Sequence, residues 1–152
     1  MQNTEMLEEF LGLAADLGLQ NTSYGELQEE VRNAVQSSGV LDFERVLESL
    51  KGYRVVQPES LEMHQYIRWI RKGPKDEHPK LVIGGVVTSV TEQDNGESTI
   101  KCVNKMGRFF QVTTRPDVIL FRLFSDQEVV VLNVLEALDQ RSMQELQEEE
   151  EH

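Results

Sequence analysis

Leu81-Val82-Ile83-Gly84-Gly85-Val86-Val87-Thr88-Ser89-Val90 is an uncharged, β-branched run interrupted by two glycines. β-Branched side chains fit a pleated, half-buried surface. A glycine pair inside a strand marks a bulge or a sharp bend, the device that curls a small sheet into a barrel. The flanking text extends the pattern. Tyr66-Ile67-Arg68-Trp69-Ile70 precedes the run across a loop, residues 73–80, that is rich in proline and charge. Asp94-Asn95-Gly96 follows it as a hairpin turn, because Asn and Gly tolerate the positive φ such turns need. Residues 98–104 then return as a strand, and Lys105-Met106-Gly107 makes a second turn. Residues 109–113 and 118–124 read as two further strands, parted by Arg115-Pro116-Asp117. Eleven of the 17 valines fall between residues 82 and 134, which favours strands here. Five short strands in about 60 residues predict a small antiparallel barrel, SH3-like or OB-like.

Upstream the period changes to that of helices. Thr4 is placed to cap a helix carrying Leu7, Phe10, Leu11, Ala14 and Leu17, with Gly18 at its end. Ser23 and Glu26 form a capping pair for a second helix, with Tyr24, Leu27, Val31, Ala34 and Val35 on its stripe and Gly39 as its stop. A third starts at Asp42 and turns Phe43, Val46, Leu47 and Leu50 inward, with Leu41 and Val46 placed as a hydrophobic staple and Leu47 as a core position. Short links predict that the three pack antiparallel. Downstream, Ser125 and Glu128 repeat the capping pair and open a helix through Leu132, Leu135 and Leu138 to Leu146. Val129-Val130-Val131 favours a strand, but no turn signal interrupts 126–150, so a helix is expected. The expected fold is α+β: an N-terminal three-helix segment (1–57), a central small antiparallel SH3-like or OB-like β-barrel (58–124), and an acidic C-terminal helix and tail (125–152).

The 152 residues carry 15 basic and 27 acidic side chains, net −12. The charge is uneven: net −6 over residues 1–57, +2 over 58–124 and −8 over 125–152. The middle suits an anionic surface and both ends are repelled by one. The run Glu148-Glu149-Glu150-Glu151 reads as a solvated tail. No apolar stretch approaches the roughly 20 residues of a membrane helix, and the first five residues carry neither a basic nor an apolar signal region. An intracellular (cytoplasmic) or virion protein, not secreted and away from membranes, is expected. The single cysteine, Cys102, excludes an internal disulfide and a CxxC site, and its alternation with Ile100 makes it a small core residue. HExxH, Walker, GxGxxG and GxSxG templates are missing, and His64, His78 and His152 are scattered. Asp76-Glu77-His78, between two prolines, reads as a solvated loop rather than a metal site. The expectation is a protein that is not an enzyme and needs no cofactor.

One constellation suits binding. Arg68, Trp69, Arg71, Lys72, Lys101, Lys105 and Arg108 form a candidate binding face, with Tyr66, Lys75 and Lys80 close by in sequence. Cations among aromatics are what a single-stranded nucleic-acid platform uses, since bases stack while cations meet phosphates. The net charge of −12 opposes that reading, and Tyr66, Trp69, Phe109 and Phe110 are equally core material. Leu132, Leu135 and Leu138 form a candidate partner-docking face on the last helix. Protein partners are therefore expected first, and nucleic acid is the alternative.

Tyr66-Ile67-Arg68-Trp69-Ile70, Gly84-Gly85-Val86-Val87, Gly107-Arg108-Phe109-Phe110-Gln111-Val112 and Val118-Ile119-Leu120-Phe121 together resemble a small β-barrel module of virion and assembly proteins of large double-stranded DNA viruses. The likeness covers about 60 of the 152 residues and omits the helices and the acidic end. It implies a structural or scaffolding role, such as a minor capsid component, with capsid or assembly proteins as partners and no catalytic residues to transfer.

Overall fold

Two turns with glycine in the left-handed region organise the strands. Gly96 (φ 83°) closes the first, where the Glu97 N–H donates to Asn95 Oδ1. Gly107 (φ 78°) closes the second, where Asn104 Oδ1 accepts from the N–H groups of Met106 and Arg108. The computed structural model describes residues 2–71 and 78–150, with side chains from 5 to 141. Among the described residues six strands result: β1 (Tyr53–Val56), β2 (Tyr66–Arg71), β3 (Lys80–Glu92), β4 (Ser98–Val103), β5 (Phe109–Thr113) and β6 (Val118–Leu123). They form one antiparallel sheet in the order β1-β6-β2-β3-β4-β5.

The bend expected at Gly84-Gly85 is present. Between Ile67 and Trp69 the partner on β3 steps from Gly85 to Val82, so β3 carries an extra residue there, and a second shift falls between Val87 and Ser89. Gly84 takes φ +77°, and a Cβ at either glycine would collide with a backbone carbonyl of the neighbouring strand, Ile67 for Gly84 and Val103 for Gly85. The expected closure into a barrel does not follow. Bulges curve a sheet, but closure needs its two edge strands to pair, and here β1 and β5 stand at opposite ends of the order. The strand β1, not expected from the sequence, lengthens the far side of the sheet by pairing with β6.

The described residues also form four α-helices: α1 (Gln2–Asp16), α2 (Tyr24–Ser38), α3 (Phe43–Ser49) and α4 (Asp126–Glu150). The first three do not form one segment. The chain divides into two compact units, one of residues 27–123 and one of residues 1–26 with 124–152. In the sheet unit, α2 and α3 cover one face: Val31, Val35 and Leu50 pack with Ile70 and Phe121. The other face buries Leu61, Ile67, Trp69, Val87, Ile100, Cys102, Val112 and Leu120. In the second unit, α1 contacts α4, and the Tyr24 and Phe124 rings lie 5.9 Å apart. Ala14, Leu19, Phe124, Val131 and Leu132 are buried.

Local chemistry explains most helix boundaries. The Ser125 N–H donates to Glu128 Oε1 (3.0 Å) and the Glu128 N–H to Ser125 Oγ (3.1 Å), the reciprocal cap that carries the valine run into a helix. The Glu26 N–H donates to Ser23 Oγ at 3.2 Å. Thr4 is not a cap, since α1 already begins at Gln2. Leu41 is 73% exposed and does not staple α3, and Leu47 is half-buried against the cluster that fully buries Leu50. Among the described residues no helix is long and apolar enough to cross a membrane.

Candidate functional site

Arg68 sits on β2 opposite Phe121 of β6, and so projects to the face that carries α3. Its Nε–H donates to the Val82 carbonyl (3.2 Å) and its Nη1–H to the Ser49 carbonyl (3.3 Å). Two main-chain acceptors thus hold the guanidinium in place while other N–H groups of the fork stay available. Around it a groove of about 1040 Å³ runs between α3 with its preceding link and the paired ends of β2 and β3. Among the described residues Arg45, Arg68, Arg71 and Lys80 line it with His78, against one carboxylate, Asp42. Among the described residues no ion pair ties any of the four cations to a carboxylate. Val40, Leu41, Val46, Leu81 and Val82 supply apolar wall, and among the described residues no aromatic ring lines it.

The candidate face expected from the sequence is therefore divided. Arg68 and Arg71 meet in the groove. Trp69 is 5% exposed and packs on Phe110, with ring centroids 5.6 Å apart, inside the core. Lys101 is exposed on β4 beside Gln111, and Lys105 lines a separate recess of about 340 Å³ with Tyr66, Ile83, Met106 and Phe110. Arg108 is exposed at the turn before β5, and Lys72 lies outside the described residues, as does Lys75. On α4, Leu132 is buried while Leu135 and Leu138 are half-buried.

Arg45, which reaches the groove from α3, was not expected from the sequence. A signal exists: Leu41, Asp42, Arg45 and Ser49 recur at helical spacing on the flank opposite Phe43, Leu47 and Leu50. Phe109, expected as core material, is 76% exposed.

No protein-family model, curated protein or solved structure matches the chain. The site must be read from its own chemistry. Among the described residues no group of three or more His, Cys, Asp or Glu is gathered to hold a metal ion. Burial pushes the Cys102 thiol up to about 11, which keeps it from being a nucleophile near neutral pH. What the groove offers is fixed positive charge beside apolar wall. That combination is chemically complementary to anionic groups attached to apolar ones.

Proposed function

We propose that the chain is a non-enzymatic interaction protein whose sheet unit holds an acidic, partly apolar segment of a protein partner in the groove between α3 and β2–β3. The observation that carries this is the lining itself, four cations and six apolar side chains, Pro79 among them, with Arg68 anchored by two carbonyls. A carboxylate-bearing peptide with aliphatic side chains matches both halves of it, and such a peptide gains little from aromatic rings. Cations alone would equally favour nucleic acid, the second reading. Base stacking needs an accessible ring at the site, however; no described ring lines the groove, Trp69 is in the core, and exposed Phe109 lies on β5, away from it. Following the resemblance of residues 66–121 to virion modules, the partner belongs among capsid or assembly proteins, and the chain acts in the cell or particle as a minor structural component.

The test is fluorescence anisotropy with a labelled peptide of about 15 residues bearing Glu and Leu on adjacent helical faces. Exposed ion pairs contribute about 0–1 kcal/mol each, so reversing two charges at once, Arg68→Glu with Arg71→Glu, should weaken binding by about tenfold or more. Unchanged affinity in that folded double variant would rule the groove out as the binding site.

A further inference from the structure

The two ends of the sheet are treated differently. β1 is four residues long, carries Arg54 and is followed closely by Pro58. Short length, charge and proline are the usual protections of a sheet edge. β5, five residues long, has neither the charge nor the proline: Phe109-Phe110-Gln111-Val112-Thr113 is uncharged, β-favouring and free of proline.

The hydrogen-bond register says which main-chain groups this edge presents. The Asn104 N–H donates to the Arg108 carbonyl (3.0 Å) and the Thr114 N–H to the Ser98 carbonyl (2.8 Å). Hydrogen-bonded and non-bonded rungs alternate along an antiparallel pair. With the pairs Cys102–Phe110 and Ile100–Val112 on bonded rungs, Val103–Phe109, Lys101–Gln111 and Thr99–Thr113 fall on the others. The N–H and C=O groups of Phe109, Gln111 and Thr113 therefore point away from β4, and β5 has no second partner strand among the described residues. Their side chains share the face opposite the Ile100–Cys102–Val112 core. The helix-covered cluster on that face draws on β1, β2, β3 and β6 and does not reach β4 or β5.

We propose that two copies of this chain join through β5, pairing antiparallel about Gln111 and continuing the sheet across a twofold axis. The strand is complementary to itself. Phe109 of each copy comes opposite Thr113 of the other, an aromatic–β-branched pair, and the three outward rungs exchange two hydrogen bonds each. No like charges oppose one another on the paired rungs. The Lys101 side chains of the two copies are three strand spacings apart, about 14 Å, beyond the screening length of about 8 Å at physiological salt. Arg108 of each copy, by contrast, falls opposite Thr114 of the other and beside its Arg115, a like-charge contact at each end of the pairing that salt should relieve. This contact stands independently of the groove.

Sedimentation velocity of the full chain from about 1 to 100 μM covers the range in which a small interface dissociates. The wild type should shift from monomer to dimer. Gln111→Pro removes an outward N–H without touching the bonded rungs to β4, and Phe109→Lys adds the charge that protected edges carry. Both should remain monomeric with unchanged far-UV circular dichroism, and if the proline variant fails to fold the lysine variant decides. Amide exchange supplies a second readout: Phe109, Gln111 and Thr113 should gain at least about tenfold protection at the high concentration, joining Phe110 and Val112. A wild type that stays monomeric, a dimer that survives the folded variants, or rapid exchange at those three amides in the dimer would overturn the proposal.

Discussion

Replacing Gly84 with alanine puts a Cβ where the sheet has no room for one. Gly84 sits at φ +77°, and the new atom would collide with the Ile67 carbonyl oxygen across the β2–β3 ladder. Gly107 supplies the control: it sits at φ +78° with nothing within 4 Å of its own would-be Cβ. Both substitutions incur the left-handed strain, about 1–2 kcal/mol for a residue with a side chain. Only the first forces β2 from β3 at Ile67, and leaving buried main-chain groups there unpaired adds about 1–3 kcal/mol. Gly84→Ala should therefore destabilise by about 2–5 kcal/mol and Gly107→Ala by about 1–2 kcal/mol. For a chain of this size that is a fall in Tm of roughly 4–20 °C against roughly 2–8 °C. Trp69, the single tryptophan and part of the sheet core, reports unfolding of the sheet unit by fluorescence. Equal losses for the two variants would refute the close approach of β3 to β2.

Two further outcomes follow from burial. Leu50 is fully buried, so Leu50→Ala should cost about 2–5 kcal/mol, whereas half-buried Leu47 should lose no more than about 2 kcal/mol; chemical denaturation compares them, and equal losses would contradict the packing of α3. Cys102, with its thiol pushed up from 9.0 to about 11, should react slowly with a disulfide reagent at neutral pH until the chain is denatured. Because the unfolded thiol ionises first, this group should erode stability as pH rises from about 9 toward 11 and add nothing below that window, a trend that Cys102→Ala should remove.

Features written into adjacent residues are legible in the sequence alone. Gly96 and Gly107 supply the positive φ of their turns and Asn95 and Asn104 the side-chain acceptors that hold them, Gly84-Gly85 specifies a bend, and the Ser125–Glu128 cap decides a valine run that propensity assigns to a strand. Features that depend on distant partners are not. Tyr53–Val56 is half-buried throughout, with no alternation to reveal a strand, and it becomes one only by pairing with β6 some 70 residues later. Closure fails as an expectation for the same reason: a bulge curves a sheet without saying which strands will meet. The groove divides likewise. Arg68 and Arg71 are neighbours in sequence, but Arg45 joins them only because α3 lies over the helix-covered face of the sheet. Trp69 and Phe109 look alike in sequence as aromatic core material, and tertiary placement sends one inward and leaves the other at the open edge.

On the proposed function, the groove around Arg68 selects an acidic, apolar protein segment over a nucleic acid. Competition anisotropy tests it most directly: the labelled Glu/Leu peptide, bound to the full chain at physiological salt, is displaced by either unlabelled peptide or a single-stranded oligonucleotide of equal charge. The peptide should compete at least about tenfold better, a difference of about 1.4 kcal/mol, because only the peptide uses Val40, Leu41, Val46, Leu81 and Val82 as well as the cations. An oligonucleotide that competes as well as the peptide, or better, would contradict it.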